Sequence, residues 1–148
     1  MQKTMSKAKA ARTATKAILQ KPFGPHVTID ANDCDFQKMT DYKLIYDVLN
    51  ELPEFVGMHK MTLPVVVPWM DNGATIEGIS GFVMIAESHI SIHTFPEKNY
   101  IFIDIFSCKP FDIEKGLDFF KERLGIKSMT VNVVQRGLDF PRGEHGLF

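Results

Sequence analysis

Between residues 78 and 108 three strand-like segments follow one another closely, at 79–86, 89–95 and 100–107, and they leave the chain little topological freedom. Glu87 and Ser88 alone join the first two, and Pro96-Glu97-Lys98-Asn99 joins the last two. Connections this short allow only antiparallel neighbours, so the three segments form a meander. Alternation then sorts the side chains. Ile101, Ile103 and Ile105 point one way, while Tyr100, Phe102, Asp104, Phe106 and Cys108 point the other. On the middle segment Ile90 and Ile92 share one face, and His89, Ser91 and His93 share the opposite one. The isoleucines suit a helix layer. The other row mixes aromatics with a carboxylate and a thiol, as a ligand-binding or subunit-facing surface would, and one register brings the histidines and Cys108 together.

The flanking sequence supplies the helices. Residues 26–30 alternate as a first strand. Thr40 or Asp41 caps a helix to about Leu52, with Leu44, Ile45, Val48, Leu49 and Leu52 on one face, and Pro53 stops it. Residues 58–67 look like a strand broken at Pro64, which marks a sheet edge or a bulge, and residues 68–73 look like a loop. Asp112 caps a second helix to Leu124, with Ile113, Leu117, Phe120 and Leu124 inward and Gly125 at its end. Residues 128–135 form a last strand. The pattern predicts the α+β class: a two-layer α/β sandwich whose largely antiparallel sheet carries two helices on one face.

A chain of 148 residues with 45% hydrophobic content makes one domain with a core that needs neither disulfides nor a structural metal. Cys34 and Cys108 have no CxxC spacing, which fits a reducing, cytoplasmic setting and leaves a bridge between them open. Residues 1–23 read as a basic, flexible tail, transiently helical around residues 8–19. Six basic side chains and no acid lie within the first 21 residues, whereas the remainder carries 11 basic against 18 acidic groups. A solvated tail accounts for this asymmetry better than a basic arm or a targeting segment, so no nucleic-acid partner is expected. No apolar run approaches the ~20 residues a membrane helix needs, so no membrane partner is expected either.

The chemistry-bearing residues are Ser80, Glu87, Ser88, His89, His93 and Cys108, with no phosphate loop or nucleophile–base triad around them. A serine in a tight turn can attack the carbonyl of its own preceding peptide bond, here that of Glu87, and form an ester. A nearby base then removes the α-proton and eliminates the ester. The dehydroalanine left behind becomes an imine and loses ammonia to water, giving a pyruvoyl group at a new N-terminus. Such a group forms a Schiff base with a substrate amine and draws electrons from a departing carboxylate, a role otherwise filled by cofactors. Simpler alternatives stand beside each residue. Ser88 is otherwise an ordinary turn serine, the histidines sheet residues, Cys108 a small buried hydrophobe and Glu97 a turn residue. Tyr100, Phe102 and Phe106 suit core or dimer packing better than substrate stacking. His89 and His93 with the two cysteines match no standard zinc spacing, and no metal is expected.

Gly78-Ile79-Ser80-Gly81, the run Glu87-Ser88-His89-Ile90-Ser91-Ile92-His93-Thr94-Phe95-Pro96-Glu97, and Asp104-Ile105-Phe106-Ser107-Cys108 together resemble the pyruvoyl-dependent S-adenosylmethionine decarboxylases of the short bacterial and archaeal type. The resemblance spans about residues 24–135. It implies a decarboxylase domain over 24–148 that cleaves itself between Glu87 and Ser88, with the pyruvoyl cofactor made from Ser88. It further implies His93 as the base and Ser80 as a hydrogen-bonding partner in self-processing, Cys108 as the acid that protonates the product carbon, and Glu97 toward the small-molecule substrate. Polyamine and spermidine synthesis would use the product, and the protein would be a homodimer of processed α/β protomers with sites near the interface. One stretch departs from the family pattern: the aromatic-x-proline before the first motif is replaced by Ala74-Thr75-Ile76-Glu77. Either Trp69 substitutes for the aromatic or the pocket no longer takes a nucleoside. Arginine or ornithine decarboxylation on the same fold is the enzymatic alternative. An uncleaved regulatory paralogue is the non-enzymatic one, against which the joint presence of Ser80, Ser88, His93 and Cys108 argues.

Overall fold

The computed structural model describes residues 21–71 and 73–141. All but the last residues of the basic tail, with the helix considered for residues 8–19, lie outside the described residues. β1 (Gly24–Asn32) leads into a one-turn helix α1 (Phe36–Met39) and a long helix α2 (Tyr42–Phe55). β2 (Val65–Trp69), β3 (Gly78–Ile85), β4 (Ser88–Phe95) and β5 (Tyr100–Ser107) follow as an antiparallel meander, and α3 (Ile113–Leu124) and β6 (Ser128–Arg136) complete the fold. The six strands form one sheet in the order β2-β3-β4-β5-β1-β6, with β1 antiparallel to both of its neighbours. The chain therefore folds as the expected α+β sandwich.

The helices cover one face for reasons encoded locally. Asp41 caps α2 by accepting the Leu44 N–H at 2.9 Å, and Ile45, Val48, Leu49 and Leu52 are then fully buried at helical spacing. Asp112 caps α3 in the same way through the Lys115 N–H at 3.0 Å, and Gly125 ends it at φ +64°. Against them lie Ile90, Ile92, Ile101, Ile103 and Ile105, each no more than 1% exposed. Each such side chain contributes about 1.5–3 kcal/mol by leaving water. Gly81 lets α2 approach: a Cβ there would stand 2.5 Å from Leu49 Cδ1 and 3.1 Å from Ile92 Cγ2. Thr94, buried among these residues, joins α1 to the sheet by accepting the Ile79 N–H and donating to the Met39 carbonyl, both at 2.9 Å.

Three local expectations are corrected. Pro53 does not stop α2, because it sits in the last turn, where the Val56 N–H still bonds the Leu52 carbonyl at 3.1 Å and the helix runs to Phe55. Of residues 58–67, expected as a strand broken at Pro64, the part before the proline is not strand, since Lys60 makes a single bridge to Ile85; β2 begins after Pro64 at the sheet edge, as the proline indicated. Pro68 and Trp69, expected in a loop, are the end of β2. The short α1, capped by Asp35 through the Gln37 and Lys38 N–H groups, spans too few residues to show a period.

Candidate active site

β3 and β4 are joined by a two-residue turn, Ala86-Glu87, with Ile85 paired to Ser88. Hairpins this tight favour positive φ at their central residues and hence glycine or asparagine, neither of which is present. The positive φ falls instead on Ser88, at +151°, a region of backbone space that side-chain-bearing residues rarely enter and that costs about 1–3 kcal/mol. The peptide bond into this residue is Glu87–Ser88. Its carbonyl oxygen, that of Glu87, accepts the Cys108 backbone N–H at 2.8 Å, a separation suited to holding negative charge that develops there. Gly24 makes room for this contact, since a Cβ there would come within 2.8 Å of Cys108 Cα and closer still to the Ser107 carbonyl oxygen.

The Glu87 side chain is only 4% exposed. One of its oxygens accepts the His59 backbone N–H at 3.0 Å, and the other lies 2.9 Å from His59 Nδ1. Burial pushes the carboxyl pKa up, but the hydrogen bonds from the His59 ring and backbone outweigh it and hold the group below its ordinary value. His59 was not singled out in the sequence. Its partner lies 28 residues away, and no local motif marks the pair.

Ser80 and His93 face each other across β3 and β4 on the helix-free side of the sheet, with Ser80 Oγ 2.9 Å from His93 Nδ1. Both are exposed. Next to them, Trp69, Glu77, Ser80, Phe95, Glu97 and Lys98 line a cleft of about 480 Å³. Glu97 projects from a single 3₁₀ turn, Pro96–Lys98, and Trp69 from the end of β2, so an aromatic ring and a carboxylate share one concavity.

The candidate residues thus fall into two groups. Ser88, Glu87 and Cys108 meet at one end of the hairpin, whereas Ser80, His93, Glu97 and Trp69 gather toward the other. Five residues of extended strand separate Ser88 from His93, about 17 Å at the usual rise. The expectation that one register unites the histidines with Cys108 is therefore corrected. His89 pairs with Phe106, next to Cys108 on that row, but His93 pairs with Phe102, far down the strand. His89 stacks on Phe82 and meets Phe106 edge-on. Burial first, then the neighbouring His26, lowers its pKa, with Asp104 opposing and Arg136 adding to the shift. Cys34 is buried against the core and its thiol is pushed up to about 11 by burial and by Asp33, while Cys108 is half-buried and both cysteines are free.

The sequence model of the S-adenosylmethionine decarboxylase family matches residues 25–137, which contain the turn, the Ser80–His93 pair and the Cys108 contact. The chain belongs to the S-adenosylmethionine decarboxylase family. A curated family member described as an S-adenosylmethionine decarboxylase proenzyme, from Clostridium botulinum (strain Langeland), is 35% identical over 115 residues, covering 77% of this chain and 94% of its own. One of the same description from Pyrococcus furiosus is 32% identical over 117 residues, covering 78% of this chain and 80% of its own. Among solved structures, the adenosylmethionine decarboxylase of Aquifex aeolicus superposes with a TM-score of 0.68 at 26% identity, over 79% of this chain and 92% of that one. Membership in the S-adenosylmethionine decarboxylase family makes the chain a carboxy-lyase. Among the described residues no helix is long and apolar enough to cross a membrane.

Proposed function

We propose that this chain is a self-processing, pyruvoyl-dependent decarboxylase that acts on S-adenosylmethionine and cleaves itself between Glu87 and Ser88. The observation that carries the proposal is the turn itself. Ser88 is held at φ +151° while the carbonyl it would attack receives the Cys108 N–H at 2.8 Å. Ser88 Oγ adds to the Glu87 carbonyl carbon, the negative charge collects on the oxygen held by Cys108, and the C–N bond breaks to leave an ester. Cleavage releases the strain at Ser88, which favours the forward direction. His93, oriented by Ser80, takes the Ser88 α-proton, and loss of the Glu87 carboxylate followed by hydrolysis with release of ammonia leaves the pyruvoyl end. That group, once formed, supplies an electron sink for the carboxylate leaving the substrate. The half-exposed Cys108 thiol, adjacent to the turn, returns a proton to the product carbon.

The distance of about 17 Å between Ser88 and His93 on one strand supports a shared site in a homodimer. The helix-free face exposes Phe82, Phe95 and Phe102 at 40–45% each, an apolar area that a second copy would cover. Two-fold packing of these faces would bring Ser80, His93 and the Trp69–Glu97 cleft of one protomer to the Ser88 of its partner. In that cleft Trp69 offers a ring for a nucleobase and Glu97 a carboxylate for hydroxyls or cationic charge. Two free thiols fit a cytoplasmic setting. Glu77 and Glu97 in one cleft also favour a second substrate class, the cationic amino acids arginine and ornithine. Carbon dioxide release measured in parallel on S-adenosylmethionine, arginine and ornithine tests the choice. Turnover of arginine or ornithine with none of S-adenosylmethionine would overturn it.

A further inference from the structure

A carboxylate side chain only 4% exposed in a two-residue turn is unusual, because such turns are normally solvated and ionised groups avoid burial unless well partnered. At Glu87 one residue supplies the partners for both oxygens: His59 reaches one with its backbone N–H at 3.0 Å and the other with Nδ1 at 2.9 Å. The His59 carbonyl in turn accepts the Ala86 N–H at 2.8 Å. The neighbouring residues extend this strap. Lys60 bridges to Ile85, the Met61 N–H bonds the Met84 carbonyl at 2.9 Å, and the Lys60 ammonium donates to the Asn50 carbonyl of α2 at 2.9 Å. Both residues of the turn are thus tied to His59, and the strap is tied to the helix layer.

We propose that His59 is a positioning residue for self-cleavage, clamping the acyl side of the Glu87–Ser88 bond so that the turn keeps the strained backbone of Ser88. The proposal rests on the self-processing reading above and adds to it a residue outside the family motifs quoted for the site. The strained φ can persist only if the turn is held from outside, since a free turn would relax by rotating Glu87 and Ser88 together. The clamp holds Glu87 from three directions: side chain to His59, carbonyl oxygen to Cys108, and the preceding amide to the His59 carbonyl. An ionised Glu87 acts only as an acceptor, so the ring must present Nδ1–H toward it, which fixes the tautomer the clamp uses. The ring is otherwise exposed, with 79% of the side chain accessible, so its truncation leaves the core intact.

The test is a cleavage time course on the full chain, followed by intact mass, for the wild type, His59→Ala and His59→Asn, with thermal melts of each. Alanine keeps the backbone N–H but loses the ring donor, and cleavage should slow about tenfold or more, the usual effect of losing a charge-assisted hydrogen bond. Asparagine places an amide N–H near the position of Nδ1 and should recover most of the rate, with melting points of all three chains close together. A His59→Ala chain that cleaves at the wild-type rate would overturn the proposal and leave self-processing standing, as would a His59→Asn chain as slow as the alanine variant. A wild-type chain that stays uncleaved would overturn both.

Discussion

If the site is shared between protomers, two inactive chains should repair one another. Ser88→Ala removes the proposed nucleophile and His93→Ala the proposed base, so each alone should give no pyruvoyl end and no carbon dioxide release. The structure sets the geometry: on one strand the two residues stand about 17 Å apart, against the ~3 Å that proton transfer needs. β4 is paired on both sides, to β3 and to β5, so it cannot fold back to close that distance without breaking both ladders. In a heterodimer of the two variants, one site combines both lesions. The other combines the intact Ser88 of the His93→Ala chain with the intact His93 of the Ser88→Ala chain. Co-expression with different tags and tandem purification isolates that species. About half of its chains should be processed, all of them carrying His93→Ala, and turnover per dimer should be roughly half that of the wild type, as two-fold symmetry requires. A heterodimer with no processed chain, or a His93→Ala homodimer that processes normally, would refute the shared site.

Gly81→Ala places a methyl 2.5 Å from Leu49 Cδ1 and 3.1 Å from Ile92 Cγ2, so these buried side chains must give way, and the melting temperature should fall by an amount corresponding to about 1–3 kcal/mol; an unchanged melt would show that the Leu49 side chain yields without cost. His89 has a folded-state pKa below its ordinary 6.5, so the unfolded chain takes up that proton first as pH falls. Its contribution to stability is full above 6.5 and declines below it, and His89→Gln should flatten that part of the denaturation profile relative to wild type. A thiol reagent at neutral pH should label Cys108 in the folded protein and leave Cys34 unlabelled until denaturation, because Cys34 is buried with its thiol pushed up to about 11; equal labelling would contradict that burial. Cys108→Ala keeps its backbone N–H, so it should still cleave while decarboxylating poorly, as judged by mass and carbon dioxide release.

Much of this was legible in the sequence because local chemistry encodes it. α3 could be drawn from cap to cap, since Asp112 and Gly125 carry their own conformational preferences, and the meander followed from turn lengths and alternating isoleucines. Pro53 misled because a proline in a last turn forfeits little, whereas Pro64 marked the sheet edge correctly and only the stretch before it misled, because a segment with one bridge has no clear period. At the site, alternation named the face of His93 and Cys108 but said nothing of their distance along the strand. That distance follows from strand rise once the register is known. The clamp on Glu87 was illegible for a different reason: His59 finds its partner only through tertiary folding, across 28 residues, and a lone histidine in an irregular segment gives no pattern to read.

The intact mass of the purified protein tests the central claim most directly. Two fragments dividing between Glu87 and Ser88, the C-terminal one about 17 Da lighter than a serine-started peptide because an amine has become a keto group, are what the account predicts. A single chain of 16.8 kDa from preparations that release carbon dioxide would contradict it.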